Sequence, residues 1–197
     1  MPETLGLEFK EVMSGGFLLE CTNPEDGERK GDARGSKLTM HCEVSIADLD
    51  RFTRDLQHPG ILSGTIDFTP FGNGLVCDPG TFNLFRPGDA PQEKWMVYEF
   101  GFTANRQRYY LAGKKIVRQG QESEVLKQTT TLYTLLHQGE NRSAPVAGAG
   151  IVHLGAKSIA DLVKTVRVTN THNSFDTLQG LVMYSRLFLG ELWHTYL

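Results

Sequence analysis

The chain has 197 residues, 40% of them hydrophobic and 22% charged, which suits one domain with a sizeable buried core. Twenty Lys and Arg against 23 Asp and Glu give a formal net charge of -3, without the basic surplus of a dedicated nucleic-acid binder. Three widely spaced cysteines, Cys21, Cys42 and Cys77, argue against a disulfide framework or a zinc ribbon, and 21 glycines point to a turn-rich, β-rich chain.

Residues 5–19 hold two short apolar patches around Ser14-Gly15-Gly16, read as a first strand and turn. Residues 22–37 are charged, Gly-rich and free of large apolar side chains, which predicts an exposed, mobile loop. Leu38, Met40, Cys42 and Val44 then alternate with Thr39, His41, Glu43 and Ser45, the period of a half-buried strand. Ser45 is the expected cap of a helix with Asp48 in its first turn and Ile46, Leu49, Phe52 and Leu56 at helical spacing. His58-Pro59-Gly60 ends that helix. A strand over residues 61–68 places Leu62, Gly64, Ile66 and Phe68 on one face, and Pro70 with Gly72-Asn73-Gly74 is turn chemistry.

Residues 81–85 form the next expected strand, ended by a Pro/Gly/Asp loop over residues 86–91. Met96, Tyr98, Phe100 and Phe102 share a face opposite Trp95, Val97, Glu99 and Thr103, and Asn105-Arg106 turns the chain into a partner strand over residues 107–112. Further strands are expected at 115–118, at the threonine-rich residues 127–137 and at 150–155. Residues 157–166 read as a short helix. After a polar break at 169–174, residues 175–196 read as an amphipathic helix of about six turns. Its apolar stripe is Leu178, Leu181, Val182, Phe188, Leu189, Leu192 and Tyr196.

Ser45-Ile46-Ala47-Asp48-Leu49 recurs as Ser158-Ile159-Ala160-Asp161-Leu162, each after an alternating strand. Residues 1–197 therefore read as a single domain, with pseudo-repeat halves at 1–105 and 106–197 as the alternative organisation. The expected fold is α+β and mainly β: an antiparallel, curved sheet or calycin-like barrel with short helices and a long C-terminal helix.

Several chemical motifs fail in their context. Gly148-Ala149-Gly150 imitates a dinucleotide-binding loop, but Arg142-Ser143-Ala144-Pro145 precedes it and His153 stands at the third glycine position. It is read as a turn entering a strand, so no flavin, nicotinamide or other cofactor is expected. Glu191-Leu192-Trp193-His194 supplies one carboxylate–imidazole pair where a di-iron site needs two with two further glutamates. His41-Cys42-Glu43 lacks the Pro-Cys-x-x-Cys half of a zinc deaminase, so no metal site is expected. Arg106, Arg108, Lys114, Lys115 and Arg118, interleaved with Tyr109 and Tyr110, read as a solvated strand face rather than a nucleic-acid platform. Met1-Pro2-Glu3-Thr4 shows no signal peptide, and no run approaches the ~20 apolar residues of a membrane span, which points to the cytoplasm.

The remaining signal is an apolar, aromatic strand face. Met40, Phe68, Tyr98, Phe100 and Phe102, with Tyr133 as polar handle, are the candidate lining of a barrel pocket for an apolar small molecule. His137 and His153 are the candidate acid–base residues of a competing cofactor-free enzyme. Residues 38–54 (LTMHCEVSIADLDRFTR), 64–68 (GTIDF), 80–85 (GTFNLF), 129–133 (TTTLY) and 189–193 (LGELW) carry a resemblance. Together they resemble the accessory region of bacterial cholesterol-oxidase-like flavoproteins of the glucose-methanol-choline oxidoreductase family. That resemblance implies a non-catalytic module for a sterol- or lipid-like ligand, associated with a flavoprotein partner or parent chain. It transfers no catalytic residue. A pure protein-interaction domain is the third reading.

Overall fold

The computed structural model describes residues 4–118, 122–155, 161 and 164–196. Period-two alternation builds its wall. Along β1 (Gly6–Leu19), Leu7, Phe9, Glu11 and Met13 are buried while Glu8, Lys10, Val12 and Ser14 are exposed. The other wall strands are β2 (Lys37–Ile46), β3 (Pro59–Phe68), β5 (Gly80–Pro87), β6 (Glu93–Ala104), β7 (Gln107–Arg118), β8 (Thr131–His137) and β9 (Val146–His153). Of these, β2 and β7 keep the alternation, whereas β5, β6 and β9 carry continuous buried runs. These strands pair antiparallel in the order β1-β2-β3-β5-β6-β7-β8-β9, and β9 returns to β1, closing an eight-stranded barrel. Closure leaves the wall without an edge. A short β4 (Gly72–Val76) pairs with β3, and β10 (Arg167–Thr169) pairs with β1, both outside the ring.

The two ends of the barrel are closed differently. Phe17, Phe68, Phe71, Phe102 and Tyr109 fill one end, with Phe17–Phe68 and Phe68–Phe71 edge-on at 5.2 Å and Phe102–Tyr109 stacked at 5.7 Å. At the other end α4 (Ser174–Tyr196) lays Tyr184 and Phe188 against Phe9 and Phe85, at 6.2 and 5.6 Å. Asn173 starts α4, its Oδ1 accepting from the Phe175 and Asp176 N–H groups. Between α2 (Leu49–Arg54) and α4 lies a surface groove of about 250 Å³ lined by Leu5, Leu49, Asp50, Asn170, His172 and Asp176, among others.

Several expectations are corrected. The segment read as a mobile loop is α1 (Pro24–Ala33), capped by Asn23, whose Oδ1 accepts from Asp26 N at 2.9 Å. It has no apolar stripe because it packs through glycines: a Cβ on Gly27 would sit 2.0 Å from the Ala149 carbonyl oxygen, and one on Gly31 would sit 2.4 Å from Phe17 N. Backbone-to-backbone approach replaces the large side chains that the sequence lacks there. Asp48, not Ser45, caps α2, accepting from Arg51 N at 2.9 Å, while Ser45 and Ile46 stay in β2. Leu56 is exposed.

Residues 107–118 are one strand, β7, since Gly113 continues the pairing with Tyr98. The threonine-rich stretch divides into α3 (Glu122–Thr130) and β8, so a strand begins only at Thr131. Gly148-Ala149-Gly150 lies within β9 rather than in a turn, because β1 and the Phe17 ring pass too close for side chains at the two glycines. On α4, Gly180, Met183, Tyr184, Leu187 and Phe188 face the barrel, whereas Phe175, Leu178, Leu181 and Val182 point outward. The close approach of Gly180 to Val168 of β10 selects this face, which keeps Phe188 of the predicted stripe and turns Leu178, Leu181 and Val182 outward. The side chains of Leu189, Leu192 and Tyr196 lie outside the described residues. So do residues 158–160 and 162, which hold the second copy of the five-residue repeat apart from Asp161. The first half of the chain supplies β1 to β6 and the second half β7 to β10.

Candidate functional site

An ion pair crosses the interior of this barrel. Glu11 belongs to β1 and Lys115 to β7, two strands separated in the wall by β8 and β9. Glu11 follows Leu7 and Phe9 on the inner face, and Lys115 follows Leu111 and Gly113, so both charges occupy slots that alternation reserves for the core. Lys115 Nζ lies 3.5 Å from Glu11 Oε2, and each side chain is 2% exposed. Lys115 Nζ also donates to the Tyr98 hydroxyl of β6 at 3.2 Å and stands 4.8 Å from the Tyr98 ring centre. Gly113 pairs with Tyr98 in the wall, and Cys42 pairs with Glu11.

The lining around this layer is apolar. Met13, Met40, Phe82, Phe100 and Leu132 are all at most 3% exposed. In so little water the charge of Glu11 reaches its neighbours. Burial, then the Glu11 carboxylate and a hydrogen bond to it, pushes the Tyr98 phenol well above its ordinary value. Burial and Glu11 likewise push the Cys42 thiol up, with Lys115 pulling the other way. Tyr184 of α4 is raised by burial and by Glu11, which brings the helical cap into the same electrostatic neighbourhood. Tyr98 therefore stays a protonated hydrogen-bond donor at neutral pH.

The candidates read from sequence divide between the two faces of the wall. Met40, Phe68, Tyr98, Phe100 and Phe102 all lie buried in the interior. Phe68 and Phe102 belong to the aromatic end, while Tyr98 belongs to the polar layer. Tyr133 alternates with the buried Leu132 and Thr134 and so faces outward, which removes it as the polar handle. His137 and His153 stand at opposite ends of the β8–β9 pairing and do not converge. His137 Nδ1 bonds the Ala144 carbonyl at 2.8 Å, and His153 Nε2 meets Glu28 Oε1 of α1 at 2.6 Å. His41 meets Asp67 Oδ2 at 2.9 Å on the outside.

Lys115 also corrects the reading of the basic stretch as one solvated face. Lys114 and Arg118 point outward, over Trp95 and against Glu93 respectively, and Arg108 is paired with Asp78 and Glu140. Tyr109 joins the aromatic end, and Tyr110 donates to Glu99 at 2.7 Å. Sequence reasoning overlooked Glu11 altogether. The available signal was a charged residue in phase with buried neighbours on each of two strands.

No protein-family model, curated protein or solved structure matches the chain. Among the described residues no cluster of three or more His, Cys, Asp or Glu side chains has the arrangement to hold a metal ion. No helix among them is long and apolar enough to cross a membrane.

Proposed function

We propose that the chain is a non-catalytic module that binds a hydrophobic, sterol- or lipid-like small molecule inside its barrel and serves a flavin-dependent oxidoreductase. The observation that carries the ligand half is the Glu11–Lys115–Tyr98 layer in an otherwise apolar interior. Small-molecule sites commonly combine an apolar lining with a few convergent polar groups. A protonated Tyr98 suits orienting a ligand better than abstracting a proton. The resemblance of residues 38–54 and 80–85 to an oxidase accessory region supports the flavoprotein association and the sterol-like class. A cytoplasmic setting belongs to the same proposal, supported by three cysteines that are free and buried.

Native mass spectrometry of the gently purified protein, with displacement of the neutral dye N-phenyl-1-naphthylamine by lipids, tests the reading. A retained apolar molecule or saturable displacement is expected. An unliganded mass together with no dye binding overturns it.

A second reading, a protein-interaction domain, is favoured by the outward Phe175, Leu178, Leu181 and Val182 of α4, which are 71, 59, 36 and 38% exposed. In that case Leu178→Asp abolishes co-purification with a flavoprotein and leaves dye binding unchanged.

A further inference from the structure

The polar layer has hydrogen-bonding capacity left over. Three buried side-chain atoms among the described residues make no hydrogen bond: Glu11 Oε1, Arg86 Nε and Glu99 Oε1. Two of these have charge or ring partners outside the barrel, since the Arg86 guanidinium lies over Trp95 and Glu99 Oε1 faces Arg142. Glu11 Oε1 is the one on the inner face of the wall, and Glu11 is only 3% exposed. Beside it, the Lys115 ammonium carries three N–H groups. Glu11 Oε2 and the Tyr98 oxygen engage two of them. A bare carboxylate oxygen beside a spare ammonium proton is satisfied by a group that both donates and accepts.

Resting on the ligand-binding reading above, we infer that this layer recognises the hydroxyl of an apolar alcohol. The ligand O–H donates to Glu11 Oε1, its oxygen accepts from Lys115 Nζ, and its hydrocarbon lies against the apolar lining around Met40 and Phe100. A ketone has no proton for Glu11. A carboxylate sets a second negative charge against it. An alkane leaves both groups unpaired.

The test compares 1-dodecanol, 2-dodecanone and dodecanoate as competitors of N-phenyl-1-naphthylamine on the full chain, followed by calorimetry for those that compete. The alcohol is expected to bind about 10- to 100-fold more tightly than the ketone, the worth of one hydrogen bond to a charged group. The paired variant Glu11→Leu/Lys115→Met replaces the ion pair by apolar side chains. It should narrow the alcohol-over-ketone preference to about twofold or less. Equal binding of alcohol and ketone, or tighter binding of dodecanoate, overturns the head-group inference while leaving the binding barrel intact. A preference that survives in the paired variant overturns its assignment to these residues. Failure of all three competitors and of the dye overturns the binding reading itself.

Discussion

Removing one member of the Glu11–Lys115 pair should cost far more than removing both. Lys115→Met keeps most of the stem volume, so the loss is dominated by the charge left behind on Glu11. That carboxylate then stays buried, with Tyr98, Cys42 and Tyr184 as its polar neighbours among the described residues and Phe100 and Met40 in the surrounding core. Breaking a buried pair from one side costs about 3–5 kcal/mol. For a chain of this size the same change lowers the melting temperature by about 6–20 °C. Glu11→Leu strands the Lys115 ammonium and should cost a similar amount. The paired variant removes both desolvation penalties and should fall within about 1 kcal/mol of the native protein, or above it. Urea unfolding followed by circular dichroism at pH 7 gives all four corners of the cycle by linear extrapolation. Single variants that each cost under about 1 kcal/mol, or losses that simply add in the pair, would refute a desolvated ion pair crossing the barrel.

Other outcomes follow from the packing and the titrating groups. Gly27→Ala should destabilise by about 1–3 kcal/mol, because its Cβ meets the Ala149 carbonyl, whereas Gly190→Ala, with nothing within 4 Å of its Cβ position among the described residues, should gain up to about 1 kcal/mol in the same urea experiment. Phe188→Ala should cost about 2 kcal/mol and Leu178→Asp under about 0.5 kcal/mol, since only the first faces the barrel; the reverse order would refute the assigned face of α4. Burial pushes the Cys77 thiol up to about 12, so it should react slowly with Ellman's reagent at pH 8 and rapidly once urea unfolds the chain. Its raised value also makes its contribution to stability full below about 8.5 and lost as pH rises toward 12, a loss that Cys77→Ala should remove. Asp67 is held below its ordinary value by the Gly74 N–H and by His41. Its contribution is therefore present above the usual carboxylate range and lost as pH falls below it; Asp67→Asn should flatten the melting-temperature profile between pH 5 and 2.

The local half of this fold was legible in the residues. Alternation in residues 38–45, 61–68 and 96–102 marks strands without reference to anything distant, because side chains on a strand point to opposite faces whatever lies across from them. The core members Met40, Phe68, Tyr98, Phe100 and Phe102 follow from the same period. Residues 22–37 misled because a helix that docks through Gly27 and Gly31 has no apolar stripe; only the nearness of β1 and β9 makes glycine useful there. The α4 face misled for a related reason. Apolar residues occupy more than one side of that helix, and β10 and the barrel mouth choose which side is buried.

By itself, then, the sequence determined a strand-rich, glycine-punctuated antiparallel fold with an aromatic interior, since period and turn chemistry are local properties. Tertiary structure alone decided that the sheet closes, because pairing between β1 and β9 joins residues about 130 positions apart. It also decided that Glu11 and Lys115, 104 positions apart in the chain, meet within 3.5 Å. Neither charge names its partner in the sequence. Closure of the wall turns both side chains toward the same interior, and their shared isolation from water gives the barrel a chemically distinctive layer.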